Sequence, residues 1–306
     1  MPRDQISRYV WIVDTLTRYG RLTRQQLNNL WMRSQFSEGE PMPERTFYHY
    51  RRAIEEIFQI DIACDTRGNY YIAGDNSRQS RAFTNWMLDS YAVSNAIKGG
   101  DAPMDRVDIE DVPSAREFLP TVLDAIRNSH KIVFTYAGFN RSRAEKDIRY
   151  EPYFLKRYKQ RWYMIGLKEK GNGIRTYALD RVKEMKILDE PFVKPEHIEL
   201  DDLFGNIVGV TTSKADVRTV RLQATPTQAK YFRALPLHSS QEETIHDLYS
   251  VFTYRLKLNY ELAHEIMGFG GAVKVLDPPE LRAMVVTELR QTLQQYDGGE
   301  VKRDFI

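Results

Sequence analysis

The sequence predicts a multidomain α/β (α+β) protein, on three observations. Residues 6–58 carry three apolar patterns at helical spacing, and a short hairpin pattern follows them. Residues 131–188 are a run of strand-like segments. Residues 217–296 then alternate strand-like with helix-like segments.

At 306 residues the chain has room for two or three compact domains. Charged residues make up 28% and the apolar set 42%, an ordinary globular composition rather than a disordered one. No apolar run approaches the length of a membrane span, and Met1 is not followed by a signal-like segment, so no membrane partner is expected. Cys64 is the single cysteine, which excludes an internal disulfide and fits a reducing, cytoplasmic setting. The six histidines lack metal-ligand spacing and no HExxH, GxSxG or GxxxxGK[ST] motif occurs. The expectation is therefore no cofactor, no metal and no enzyme. Net charge is only +2, but residues 141–186 hold 14 Lys+Arg against 6 Asp+Glu. Such an excess attracts anions. A solvated surface shows it equally.

Taking the elements in order, Ile6, Tyr9, Val10, Val13 and Leu16 predict a first helix that Gly20 stops. Thr23 and Gln26 form a T-x-x-Q capping box ahead of a second helix bearing Leu27, Leu30 and Trp31. A Ser/Gly/Pro-containing loop leads to a third helix, Glu44–Phe58. Phe47, Tyr50, Ile54, Ile57 and Phe58 share one side of it, and Arg45, Tyr48, His49 and Arg52 the other. Residues 60–64 and 70–73 then form a hairpin with Arg67-Gly68 at its tip. Three helices and a hairpin outline a winged helix-turn-helix, whose third helix enters the major groove. Arg45 and Arg52 suit bidentate reading of guanine, Thr46 and His49 reach bases or phosphates, and Arg67 meets backbone or minor groove. Bulk charge adds little, since residues 1–72 hold 10 Arg against 9 Asp+Glu. On these residues alone, a solvated helix face explains the pattern as well.

Residues 74–81 read as a polar loop. Phe83, Trp86, Met87, Tyr91 and Ile97 predict a linker helix ending at Gly99-Gly100, and residues 101–113 an acidic connection. That aromatic stripe suits a core, a dimer contact or a strut between domains. A helix restarts at Leu119-Pro120 with Val122, Leu123 and Ile126 as its apolar face, and residues 131–136 alternate as a strand. Residues 161–167 and 174–182, broken by Gly171-Asn172-Gly173, make a hairpin. Alternation puts Trp162, Met164 and Gly166 on one face and Tyr163, Ile165 and Leu167 on the other. Arg175, Tyr177, Leu179 and Arg181 share a face of the second strand.

In the last third, residues 220–224 predict a strand, 227–235 a helix, 251–258 a half-buried strand, 261–267 a helix and 273–276 a short strand. Pro278-Pro279 opens a final helix with Leu281, Val285, Leu289, Leu293 and Tyr296 on one side.

The central stretch resembles the WYL domain, a small Sm-like β-barrel of bacterial transcription regulators. The residues that carry the resemblance are Arg149-Tyr150-Glu151-Pro152, then Trp162-Tyr163-Met164 with Met in place of Leu, then Arg175 and Leu179-Asp180-Arg181-Val182. Residues 268–282, GFGGAVKVLDPPELR, resemble the C-terminal extension that accompanies many such regulators. The resemblance implies a DNA-binding head before the barrel, which favours the groove-reading role of the third helix. It divides the chain into a winged helix-turn-helix domain (1–75), a helical linker (76–115), a WYL Sm-like barrel (116–208) and a C-terminal α/β extension (215–306). It also implies a ligand site at Tyr136, Arg149, Tyr163, Arg175 and Arg181, with Asp180 orienting one of the arginines and Trp162 in the barrel core. Arg175 and Arg181 are roughly 20 Å apart on a straight strand. On that reading either the ligand is extended, as an oligonucleotide is, or Arg181 pairs with Asp180 or Glu151. Arg175 with Tyr163 is then the centre of the site.

The function so implied is a sequence-specific transcriptional regulator. Its expected partners are a double-stranded DNA operator, an anionic effector (nucleotide or oligonucleotide) and a second copy of itself in a homodimer. The alternative is an accessory protein that binds single-stranded nucleic acid through the barrel. A third reading, an enzyme with its pocket in the barrel, lacks a nucleophile–base constellation.

Overall fold

The computed structural model describes residues 3–34, 36–58, 60–73, 86, 90, 115, 117–139, 142–171 and 173–298, in two units, Met1–Glu110 and Asp111–Ile306. The predicted loop at 74–81, linker helix and acidic connection lie outside the described residues, apart from Trp86 and Ser90, which are helical.

In the first unit, α1 (Arg3–Tyr19) buries Tyr9, Val10, Ile12, Val13 and Leu16. It ends at Gly20, whose φ of +76° lets its N–H reach Leu16 O at 2.9 Å, a turn that costs glycine nothing. A two-residue strand, β1 (Leu22–Thr23), precedes α2 (Arg24–Trp31), and Thr23 with Gln26 forms the expected capping box. Residues 32–43 connect α2 to α3 (Glu44–Phe58), a longer link than the three- or four-residue turn of a simple helix-turn-helix. Side chains pin it: Met42 N donates to Asn28 Oδ1 at 2.8 Å, Arg24 donates to Met42 O, and Ser37 Oγ donates to Met32 O. The hairpin is β2 (Asp61–Cys64) and β3 (Asn69–Ala73), and the sheet order is β1-β3-β2. Two residues carry no readable alternation, so β1 was beyond the pattern.

In the second unit, α4 (Leu119–Asn128) leads into five antiparallel strands. These are β4 (His130–Tyr136), β5 (Glu145–Tyr158), β6 (Arg161–Lys168), β7 (Ile174–Ala178) and β8 (Val182–Pro191), in sheet order β7-β6-β5-β4-β8. Strands β7 and β8 stand at opposite edges with no ladder between them. The sheet is open, not the closed barrel that the resemblance implies. The predicted strand 174–182 also stops early, because a 3-10 turn, Leu179–Arg181, follows Ala178.

One face of this sheet packs under α4. Phe134, Tyr136, Tyr150 and Tyr177 meet there edge to face, with ring centroids 4.9–6.3 Å apart, and Trp162 lies beside them as expected. The other face, with Phe154, Tyr163 and Ile165, is covered by Ile207 and by Leu203 and Phe204 of α5 (Leu200–Phe204).

The chain then builds β9 (Val217–Ala224), α6 (Pro226–Ala234), β10 (Glu242–Ile245), β11 (Ser250–Lys257), α7 (Tyr260–Gly268), β12 (Val273–Asp277) and α8 (Pro279–Tyr296). Sheet order β10-β11-β9-β12, all antiparallel, is the split βαβ arrangement of ferredoxin-like units. Thr225 and Asn259 cap α6 and α7 by accepting from Gln228 N and Leu262 N. Strand β10 has no apolar alternation and was not predicted. On α8, Leu281 and Val285 are buried as expected. Leu289, Leu293 and Tyr296 are exposed, since the helix runs on past the sheet. No helix among the described residues is long and apolar enough to cross a membrane.

Candidate functional site

Two surfaces gather the predicted residues. On α3, Phe47, Tyr50, Ala53 and Ile54 are buried in the head's core, which turns Arg45, Tyr48, His49 and Arg52 outward, all exposed, with Thr46 half-buried. Tyr48 Oη lies 3.1 Å from Tyr70 Oη on β3, so the helix is tied to the hairpin behind it. Burial is the first cause, and the Tyr48 bond the second, that push the Tyr70 hydroxyl well above its ordinary pKa.

Arg67 is exposed at the hairpin tip, and Asp65 shapes that tip. Its Oδ1 accepts from the Arg67 and Asn69 amides at 2.9 Å, and its Oδ2 accepts from Asn69 Nδ2 and from Arg21 Nη1. Arg21 in turn stacks 4.1 Å over Tyr71. The Asn69 side chain and amide, with smaller help from Arg67 N–H and Arg21, hold the Asp65 carboxyl at about 2, below its ordinary 3.8. Stability from these bonds is therefore complete above the unfolded value and is lost as pH falls from about 4 through 2. The expected result is that the amide protons of Arg67 and Asn69 titrate in NMR with a midpoint about 2. A midpoint at the ordinary carboxylate value would show that the Asp65 bonds do not persist in solution.

The second surface is a cleft of about 380 Å³ beside the β7 edge. Tyr136, Arg175 and Arg181 of the expected set line it, together with Tyr177, Phe139 and Lys168, and Lys170 and Glu145 stand at its wall. The Arg181 guanidinium lies 3.8 Å over the Phe139 ring. Lys168 is paired to Glu145 at 2.5 Å. Tyr150, fully buried, donates to Arg175 O at 2.6 Å and so anchors the strand that presents Arg175. The 3-10 turn brings Arg181 back to the cleft, so Arg175 and Arg181 share one site instead of standing at the two ends of a straight strand. Arg181 pairs with neither Asp180 nor Glu151.

The other three expected residues lie elsewhere. Arg149 is held by Glu190 and, at 2.5 Å, by Glu169, which also takes Lys131 at 2.9 Å. Glu190 first, then Glu169, raises the Arg149 pKa, as befits a structural ion pair. Tyr163 is on the opposite face of the sheet from Arg175: its register partner is Ala178, whereas Gly166 is opposite Arg175. Asp180 orients Arg161 (3.4 Å) and none of the expected arginines. Phe139, Lys168 and Lys170 were missed. The signal open to sequence reasoning was the cation pair flanking the Gly171 break; Phe139 sits in a loop without periodicity.

Comparison with known proteins places this geometry. Residues 117–187 match the WYL domain and residues 216–293 match the WCX domain. No curated protein matches the chain. Among solved structures, proteasome accessory factor B/C (PafBC) of Arthrobacter aurescens aligns with 98% of this chain and 48% of its own, at 19% identity and a TM-score of 0.37. A CRISPR Cas-related protein aligns over 60% of this chain and 55% of its own, at 14% identity and a TM-score of 0.38. The chain thus spans about half the length of these structures. The five-stranded unit that holds Trp162-Tyr163-Met164 is thus a WYL domain, and the ferredoxin-like unit that follows it in the chain is a WCX domain.

Proposed function

We propose that this protein is a transcriptional regulator that binds duplex DNA through α3 and the hairpin beside it. The observation that carries the reading is the two-sided α3: one side forms the head's core, and the other presents Arg45, Tyr48, His49 and Arg52 outward. A rigid helix with exposed forks and rings suits the major groove, and Arg67 at the hairpin tip suits the flanking backbone. Affinity comes mainly from phosphates, and sequence choice from the α3 side chains. Two copies reading an inverted repeat would raise both, since one winged helix offers a small interface.

The WYL cleft is the effector site in this reading. Arg175 and Arg181 offer planar forks for a phosphate or carboxylate, and Phe139, Tyr136 and Tyr177 offer ring surface beside them. A nucleotide or a short oligonucleotide has both features. Arg175→Ala is expected to abolish the response of operator binding to such an effector while leaving basal operator affinity and melting temperature near wild type. Arg175→Lys rescues poorly, because a point charge does not replace a fork. Loss of folding in Arg175→Ala would make the residue structural and the effector site wrong.

The rings and cations of the cleft also suit a protein whose target is single-stranded nucleic acid itself. Selection of bound sequences from random duplex, run beside random single strands, separates the two. Enrichment of a duplex inverted repeat supports the regulator; enrichment of single strands alone overturns it.

A further inference from the structure

The short turn between β7 and β8 touches both faces of the WYL sheet. Its residue Arg181 lines the cleft and stacks on Phe139. The preceding residue, Asp180, has a side chain only 8% exposed and reaches the other way, to Arg161 Nη1 at 3.4 Å. Arg161 has the strand parity of Tyr163, on the face that packs against Phe204 and Ile207. Tyr163 stands opposite Lys156 in the β5–β6 ladder, so the two share this face.

Glu261 is the clasp of the WCX unit. Its Oε1 accepts from Val210 N at 3.0 Å, Thr211 N at 3.1 Å and Thr211 Oγ1 at 3.1 Å. Gly209 beside them has a φ of +110°, and a Cβ there would stand 2.6 Å from the Glu261 carboxyl carbon. Lys156, from β5, donates to Gly209 O at 2.8 Å. Residues 209–211 of the segment that joins the two domains are thus held by the Glu261 carboxylate of one domain and the Lys156 ammonium of the other.

We propose that the Leu179–Arg181 turn couples the cleft to this clasp, so that an anion gripped by Arg181 alters how the WCX unit is held. This rests on the effector reading of the cleft. Neighbouring residues on a turn with a buried Leu179 at its start and Ala137 N bonded to Arg181 O at 2.9 Å do not move independently. Asp180 Oδ1 and Arg181 Nε are buried with no hydrogen-bond partner, so the resting turn leaves two polar groups unsatisfied. A displacement that pairs either group would offset part of what it breaks, which brings a second arrangement of the turn within reach. Arg181 senses, Asp180 pulls Arg161, and the Tyr163–Lys156 pair that holds Gly209 yields.

The test is amide hydrogen exchange at Val210 and Thr211 in the full chain. Arg181→Ala and Asp180→Asn are each expected to change exchange there by about tenfold, and the double variant by no more than the larger single. Arg181→Gln replaces Arg181→Ala if the latter fails to fold. With saturating pyrophosphate or a thymidine hexanucleotide, wild-type exchange at these amides shifts. Asp180→Asn and Arg161→Ala bind the same probe with affinity near wild type and show no shift. Unchanged exchange in both single variants, or additive effects in the double, overturns the coupling. If neither probe binds wild type, the effector reading fails, and the variant cycle still decides the coupling by itself.

Discussion

Gly166→Ala is expected to unfold the WYL sheet. A Cβ at this position would lie 1.9 Å from Glu151 O and 3.1 Å from Pro152 Cα, both main-chain atoms of the paired strand β5. A flexible side chain could swing away; a backbone in a ladder cannot. The close approach arises where the β5–β6 register shifts between Pro152 and Phe154, which presses the β5 backbone across β6. The residue is glycine here for lack of a side chain, not for a left-handed φ. Relieving the overlap requires separating two central strands, a loss above ~4 kcal/mol, which is much of a domain's net stability. Gly173→Ala is the control: it has open space but a φ of +89°, so its cost is limited to backbone strain of roughly 1–2 kcal/mol. Urea unfolding of both variants checks this. A Gly166→Ala midpoint within error of wild type would show that the two strands are further apart than described.

Arg45→Ala with Arg52→Ala carries the second large effect, on DNA. Both side chains are exposed, so folding should be unchanged. If each reads a base, each loss costs ~1–3 kcal/mol and the pair lowers affinity for the selected site by about 30-fold to 10⁴-fold. Preference relaxes at the positions they read. Arg18→Ala on α1, an exposed arginine paired to Asp14 at 2.8 Å, leaves affinity near wild type. A uniform loss on all duplexes with a shallower salt slope would make Arg45 and Arg52 phosphate contacts instead. No loss would move the recognition surface elsewhere. Quantitative binding on the selected site and on random duplex, at two salt concentrations, distinguishes the three results.

Much of the local structure was legible in the sequence, and the reason is visible in particular elements. The bounds of α3 coincide with the apolar spacing of residues 44–58, because helix amphipathicity is a relation among residues three and four apart. The Thr23–Gln26 capping box and the proline start of α8 are local for the same reason. Strand β6, and the shared face of Trp162 and Met164, follow from alternation over a few residues. The site residues whose placement rests on one strand's parity, Arg175 and Tyr177, also came out together.

What tertiary structure alone decided concerns relations between segments far apart in the chain. Tyr163 and Arg175 are close in the hairpin yet on opposite faces, because register at Gly166, not proximity in sequence, sets which side chains meet. Arg149 looks like a ligand residue until Glu169, from the bend after β6, and Glu190, from β8, reach it. Arg175 and Arg181 line one cleft because a three-residue 3-10 turn breaks the strand after Ala178, and nothing in the alternation of 174–182 marks that break. The open edges of β7 and β8 depend likewise on long-range pairing. Periodicity determined the longer helices and strands β4, β6, β9 and β11, and which of their side chains share a face. The hydrogen-bond ladders and ion pairs between distant strands decided which of those side chains face one another, and so where the cleft lies.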